Sequence, residues 1–420
     1  MLLQFTVGNH GSLRKPQTLS MVASALSDPS AGLLNSPLTP DPTLPSIVIY
    51  GANAAGKSNV ISAMDFMRDA VLYSHSRGEP GGKIPRKPFA LDDTASNVPS
   101  HFDIHFVEDG VRYNYGFEVN NDAFTKEWLY SYPKGRRVTL LTREGENITP
   151  GPSLRGQNKT IAGLTRSNSL FLSAAAQNDH EQLLGVSSFF KSITIASTIS
   201  ESARLLAYEV TPNIDGRVID FLSSAGTGVV GYEFDVTDAS ERAREISKDL
   251  SVVIKKYRPD FTADEEFLSK ERKFKLKHRT SGGKEIAFDL GWESAGTRRL
   301  VILLSKIYAA LDAGTLLVID EFTASLHTQA CEALLSLFSN PETNPNGAQL
   351  IATTHDTNLL NSQFLRRDQV WFTEKDDEGA THLYPLTSIH TRKSDNIEKG
   401  YLQGRFGAVP FSGHLTSWRD

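Results

Sequence analysis

Residues 51–58, GANAAGKS, have the spacing G-x-x-x-x-G-K-[ST], a glycine-rich turn that opens a helix. Backbone N–H groups of such a turn, together with the positive end of the helix, cradle phosphate oxygens. Lys57 would neutralise charge at the β- and γ-phosphates and Ser58 would give its hydroxyl to Mg²⁺, while Gly51 and Gly56 let the backbone come close. Asn53 and Asn59 complete the loop residues expected at the nucleotide. The motif fits ATP and GTP equally.

A second group of residues fits the same chemistry. LLVIDE, ending in Asp320 and Glu321, reads as an apolar strand that delivers two carboxylates to the edge of a sheet beside the loop. Asp320 would hold Mg²⁺ and Glu321 would orient and polarise the attacking water, because phosphoryl transfer needs mainly positioning and charge stabilisation. A solvated strand end is the plainer reading of that pair. His355 ends another apolar stretch, AQLIATTH, where an imidazole could reach a γ-phosphate; a core or capping histidine is the alternative. In WESAGTRRL, Ser294 and Gly296 open a helix, either as an N-cap turn or as a second phosphate contact.

The elements that must carry these groups can be read from hydrophobic period and turn residues. SIVIY at 46–50 is a short apolar, β-branched run ended by Gly51, the pattern of a buried parallel strand, and a helical pattern follows from Asn59. FTVGNHGS reads as a strand and turn at a sheet edge. HFDIHFVEDGVRYNYGFEV alternates apolar and polar positions on both sides of Asp109-Gly110, which predicts a hairpin and an antiparallel lobe. Residues 286–387 alternate helical segments with apolar strands, the rhythm of a parallel α/β sheet. The expected organisation is a lobe at 1–184, a mixed insertion at 185–285 without sustained heptads, and a second lobe at 286–420.

Composition excludes several classes. With 44 basic against 49 acidic side chains, the net charge of −5 gives no global field for nucleic acid or an anionic membrane surface. One cysteine, Cys331, excludes an intrachain disulfide and cysteine-based zinc sites. No long apolar stretch or leader-like N-terminus is evident, so a cytoplasmic protein without a membrane partner is expected.

The order of P-loop, Ser-x-Gly helix start, strand ending Asp-Glu and strand ending in His resembles that of ABC and SMC-type ATPases. The resemblance implies a P-loop NTPase head with a parallel core sheet, an antiparallel β lobe and a helical insertion, using ATP and Mg²⁺. By it, Ser294, Ala295 and Gly296 stand for the signature motif that meets ATP held by a second copy, so that hydrolysis requires a homodimer or higher oligomer. Ala324, Ser325, Leu326 and His327 look like the D-loop, and Gln177 in FLSAAAQN looks like the Q-loop glutamine that touches nucleotide and metal.

The match is closer to the stand-alone RloA-like ATPases of restriction-linked and abortive-infection systems, related to overcoming-lysogenization-defect proteins. FTVGNHGS, YGANAAGKSN, SLFLSAAAQ, ESAGTRRL, LLVIDEFTASLH, LIATTHDTNLL, RRDQVWFTEKD and EKGYLQGRFGAVPF carry it. It implies a neighbouring-gene effector nuclease or toxin, restrained until infection, with a phage protein as candidate trigger. The toprim nuclease domain of overcoming-lysogenization-defect proteins does not fit in the residues after His355. A DNA-acting SMC-like ATPase is the alternative, supported by SKERKFKLKHRTSGGK at 269–284, where Lys273, Lys275, Lys277 and Arg279 would share one strand face. A solvated face is the plain reading there, and a compact transporter subunit fits poorly.

Overall fold

The computed structural model describes residues 1–29, 32–196, 214–257, 269–361, 365–392 and 395–408. In chain order the first elements are β1 (Leu2–Gly8), β2 (Gln17–Ser20), β3 (Ser46–Tyr50), α1 (Lys57–Arg77), β4 (Ser100–Glu108), β5 (Val111–Val119), β6 (Phe124–Ser131), β7 (Val138–Glu144) and β8 (Asn147–Pro150). Next come α2 (Asn158–Leu164), α3 (Phe171–Gln177), α4 (Glu181–Ser192), β9 (Thr194–Ala196), α5 (Gly216–Ser224), β10 (Val229–Asp238), α6 (Glu241–Tyr257), β11 (Lys270–Arg279) and β12 (Glu285–Asp289). The chain closes with α7 (Ala295–Ala313), β13 (Leu316–Ile319), α8 (Thr328–Ser339), β14 (Gln349–Thr353), β15 (Val370–Lys375), β16 (Thr381–Pro385) and α9 (Ile397–Leu402).

Two compact units result: Met1–Ser197 with Ala309–Asp420, and Thr198–Tyr308. The insertion therefore begins later than position 185, because β9 pairs in parallel with β13 and belongs to the first unit's sheet. It also runs past 285, since Glu293 accepts a hydrogen bond from His278 Nε2 of β11 at 2.7 Å, tying the start of α7 to that unit's own sheet.

The first unit contains both large sheets. One is antiparallel, in the order β2-β1-β4-β5-β6-β7-β8, and its β4–β5 hairpin turns at Asp109 (φ 47°) and Gly110 (φ 72°), the left-handed pair that matches strand twist. β1 lies inside this sheet rather than at its edge, with β2 outside it. The other sheet has the order β16-β15-β3-β14-β13-β9, parallel except at β16. β3, β13 and β14 are buried at every position, which explains their largely apolar sequences.

Helix α1 joins the two sheets. Its Val60, Ile61, Met64, Met67 and Val71 share one apolar cluster with Phe102, Phe106 and Phe117 of the antiparallel sheet and with Ile49, Val318 and Ile351 of the parallel one. Glu127 of β6 is fully buried and caps the start of α3, accepting from Phe171 N at 2.7 Å and Leu172 N at 3.0 Å, with Tyr115 Oη donating at 2.9 Å. Burial holds its carboxyl above the ordinary value, while those bonds and the Arg143 guanidinium act in the opposite sense.

The second unit has a three-stranded sheet in the order β10-β11-β12, with Phe274 and Leu276 of β11 buried. Two of the four cations on the basic face of β11 are paired within their own sheet. Lys275 Nζ lies 2.9 Å from Asp235 and 3.7 Å from Asp289, and Lys277 Nζ lies 3.3 Å from Glu233 and 3.9 Å from Glu285. Acidic partners on both flanking strands thus pair with those cations. No helix among the described residues is long and apolar enough to cross a membrane, and Cys331 is buried in α8.

Candidate functional site

The chemistry-bearing groups gather at the carboxyl ends of β3, β14 and β13, the crevice where open α/β sheets bind ligands. The strand carrying His355 lies between the strands carrying the P-loop and Asp320, so the carboxylates are one strand further from the loop than side-by-side strands would place them.

The P-loop takes the shape needed for an anion cradle. Ala54 (φ 63°) and Gly56 (φ 104°) are left-handed, and among the described residues the backbone N–H groups of Ala54, Gly56, Lys57 and Ser58 meet no protein acceptor. Lys57, 5% exposed, donates from Nζ to Gly51 O at 2.8 Å and to Ala52 O at 2.9 Å, which curls the loop around its own ammonium. Burial lowers its pKa to about 8, with Asp320 and Glu321 acting against the shift. Lys57 Nζ also lies 3.4 Å from His355 Nδ1. Withdrawal from bulk water, followed by the nearby ammonium, holds that imidazole below its ordinary pKa, leaving Nδ1 as the acceptor facing Lys57 and Nε2 as the N–H donor.

One threonine organises the two carboxylates. Thr353 Oγ1 donates to Asp320 Oδ1 at 2.5 Å and accepts from Glu321 N at 2.8 Å, while Phe322 N donates to Thr353 O at 2.8 Å. Glu321 sits at φ 53°, a conformation uncommon for a residue with a Cβ, and these two bonds hold it there. Its exposed carboxylate is therefore presented from a fixed backbone. Ser58, exposed on the first turn of α1, and Asp320 offer a hydroxyl and a carboxylate oxygen, the hard donors that suit Mg²⁺ beside phosphate oxygens.

Behind the loop runs a chain of polar side chains that sequence reasoning missed. Asn59 Nδ2 donates to Ser12 Oγ at 2.6 Å, Ser12 Oγ pairs with Thr381 Oγ1 at 2.6 Å, and Thr381 Oγ1 donates to Ala55 O at 2.9 Å. Asn59 is thus engaged with the turn after β1 and not directed to a nucleotide. A Cβ at Gly56 would collide with Thr381 Oγ1, so glycine is required there for space as well as for φ. Ser12 and Thr381 lie far apart in the sequence, and no local pattern links the two.

Gln177 does not join this group. Ser173 Oγ accepts from His75 N at 3.1 Å, so α3 starts against the end of α1 remote from Lys57. At ~1.5 Å of rise per residue, that geometry leaves Gln177 on the order of 15 Å or more from Lys57. It neighbours instead a separate cavity of 710 Å³ lined by residues including Arg155, Thr160, Asn178 and His180. Asn53 is exposed at the loop tip. Ala324 to His327 form the turn into α8, where Ser325 has φ 61° and His327 Nδ1 accepts from Gln329 N at 3.3 Å.

Ser294 and Gly296 belong to the second unit. Ser294 Oγ accepts from Thr297 N at 3.0 Å, so the serine caps α7 and is itself exposed. Trp292, 81% exposed, stacks on Phe288 at 6.5 Å between ring centres.

A family model described as "AAA domain, putative AbiEii toxin, Type IV TA system" matches residues 46–151 and 190–361, well over half of the chain. The matched segments contain Lys57, Ser58, Ser294, Asp320, Glu321 and His355, and omit Gln177. No curated protein matches the sequence. Among solved structures, the chain is similar to the SMC head domain from Thermotoga maritima, at 13% identity and a TM-score of 0.40, over 91% of this chain and 98% of that one. It is also similar to the Smc head domain with an extended coiled coil bound to the C-terminal domain of ScpA, derived from Pyrococcus furiosus, at 12% identity and a TM-score of 0.39, over 92% and 97% of the two chains.

Proposed function

This chain belongs to the AAA-domain family described by that model, and we propose that it is a dimerising ATP-hydrolysing switch of the ABC/SMC type that serves an anti-phage defence system. In this reading it controls a separate nuclease or toxin encoded beside it, as in the RloA-like, abortive-infection ATPases that its sequence resembles. The observation that carries hydrolysis is the convergence of Lys57, Asp320, Glu321 and His355 at one sheet edge, with Glu321 held at φ 53°.

Each group then has a role. Lys57 and the loop N–H groups bind the β- and γ-phosphates, and Ser58 with Asp320 would hold Mg²⁺, which supplies further neutralisation of phosphate charge. Glu321 orients a water and takes its proton as the water oxygen bonds to the γ-phosphorus and the bond to the bridging oxygen breaks, releasing ADP and phosphate. His355 Nε2 donates to the γ-phosphate as charge develops. Ser294 and Gly296 of a second copy complete the site, and the exposed Trp292–Phe288 stack next to Ser294 is apolar surface of a kind that a protein partner covers. The pairing of Lys275 and Lys277 with acidic neighbours weakens the basic face on which the DNA-acting alternative rests.

Phosphate release measured against protein concentration tests the trans-completed site. The expected result is turnover per chain that climbs with concentration to a plateau and stays at a low baseline in Ser294→Arg. A per-chain rate that is constant with dilution would mean that each chain carries a complete site.

A further inference from the structure

The C-terminal segment has no part in the chemistry above, yet it touches β3, which delivers the P-loop, and the turn that follows β14. Its last described portion, 395–408, forms a hook around α9; Val409, Pro410 and Phe411 of the sequence motif lie outside the described residues. Asn396 Oδ1 caps α9 by accepting from Lys399 N at 2.7 Å. Tyr401, 2% exposed, stacks on Phe372 of β15 at 5.5 Å and meets Tyr50 edge-on at 6.3 Å, and Tyr50 immediately precedes Gly51 of the P-loop. The hook is closed by Tyr401 Oη donating to Ala408 O at 2.9 Å and Tyr384 Oη donating to Phe406 O at 2.9 Å. Gly400 leaves room for the Phe406 ring, which a Cβ there would meet at 2.6 Å.

From this anchored helix Glu398 reaches the turn that follows His355. One carboxylate oxygen accepts from Thr357 Oγ1 at 3.3 Å and the other from Asn361 Nδ2, the first and last residues of the 3-10 turn Thr357–Asn361. On its other side the same loop is held by Thr328 Oγ1 donating to Asp356 Oδ2 at 2.6 Å, and beneath by the buried Leu359 and Leu360. The His355 backbone thus has β14 on one flank and a turn clamped by the tail on the other.

We propose that Glu398 is a positioning residue for His355: through Thr357 and Asn361, the tail helix fixes the turn that aims the imidazole past Lys57 into the crevice. The proposal rests on His355 acting at the γ-phosphate. It also makes α9 a handle on the ATPase site, since displacing the tail would release the histidine without touching the P-loop residues themselves.

Steady-state ATP hydrolysis of the full chain tests this with Glu398→Ala, Glu398→Gln, His355→Ala and the Glu398→Ala/His355→Ala double variant. Glu398→Ala should lower kcat on the order of tenfold to a hundredfold with KM little changed, the scale of a small misplacement of a reacting group. Glu398→Gln, which keeps an acceptor oxygen, should recover most of the loss, and the double variant should be no slower than His355→Ala alone. Multiplying losses in the double variant, or wild-type kcat in Glu398→Ala while His355→Ala is slow, would overturn the positioning role alone. Wild-type kcat in His355→Ala would instead remove the γ-phosphate role of the histidine. Thr357→Val deletes one donor from the opposite side without altering the tail; should Glu398→Ala fail to fold, a lowered kcat in Thr357→Val supports the proposal and an unchanged one overturns it.

Discussion

Glu321→Gln is expected to slow phosphate release by about 10²–10⁴-fold, the scale of losing a general base, while leaving affinity for MgATP within a few-fold of wild type. The substitution keeps the side chain's length and every contact of its backbone. Thr353 continues to accept from the amide of residue 321 and to donate to Asp320, so neither the turn nor the Mg²⁺-binding carboxylate is disturbed. Only proton acceptance from the water is lost. Equal losses in binding and turnover would place Glu321 among the nucleotide ligands instead. Single-turnover hydrolysis beside an equilibrium titration with ATP separates the two.

Lys57→Met should lower ATP affinity about 100-fold or more, because it removes a buried ammonium whose charge-assisted bonds to phosphate are each worth about 1.5–3 kcal/mol. It also deletes the donor that curls Gly51 and Ala52 around the loop. The lowered pKa, about 8, adds a pH signature. Below that pH the free protein already carries the ammonium; above it a proton must be taken up on binding phosphate, so wild-type affinity should fall by up to about tenfold per pH unit. The methionine variant should lack that dependence. Isothermal titration from pH 7 to 9 gives both readings, and a wild-type affinity that rises across this window would contradict the assignment.

Much of the site was legible because its signals are local. A buried apolar strand, a glycine loop and a helix lie consecutively from Ser46 to Arg77, and Asp320-Glu321 and His355 each end an apolar run. Asp109-Gly110 likewise fixes its hairpin from within four residues. What was not legible depends on pairing between distant segments. Sheet order places β14 between β3 and β13, and nothing in either strand encodes that neighbour. The Ser12–Thr381–Ala55 support joins the two ends of the sequence, and the pairing of Lys275 and Lys277 on β11 depends on acidic residues in β10 and β12. Gln177 misled because SLFLSAAAQ matches a family segment, whereas hydrogen bonds between its helix start and Ser74 and His75 set its position.

The insertion's limits were hidden for the same reason. α4 and β9 read as the start of a mixed region, yet the three residues of β9 extend the parallel sheet next to β13. Glu293, only one residue from the exposed serine that resembles a signature motif, is bonded to His278. Strand pairing and side-chain links of this kind, rather than composition, decide to which unit a segment belongs.

Light scattering of purified Glu321→Gln protein with and without MgATP, beside Glu321→Gln/Ser294→Arg, tests the central claim most directly. If two copies complete each site, the first protein doubles in mass or assembles further only when MgATP is present, because bound ATP is no longer consumed, and the second remains at one chain mass. A mass indifferent to MgATP, or assembly that survives the Ser294 substitution, would contradict a site shared between copies and leave a P-loop ATPase that acts alone.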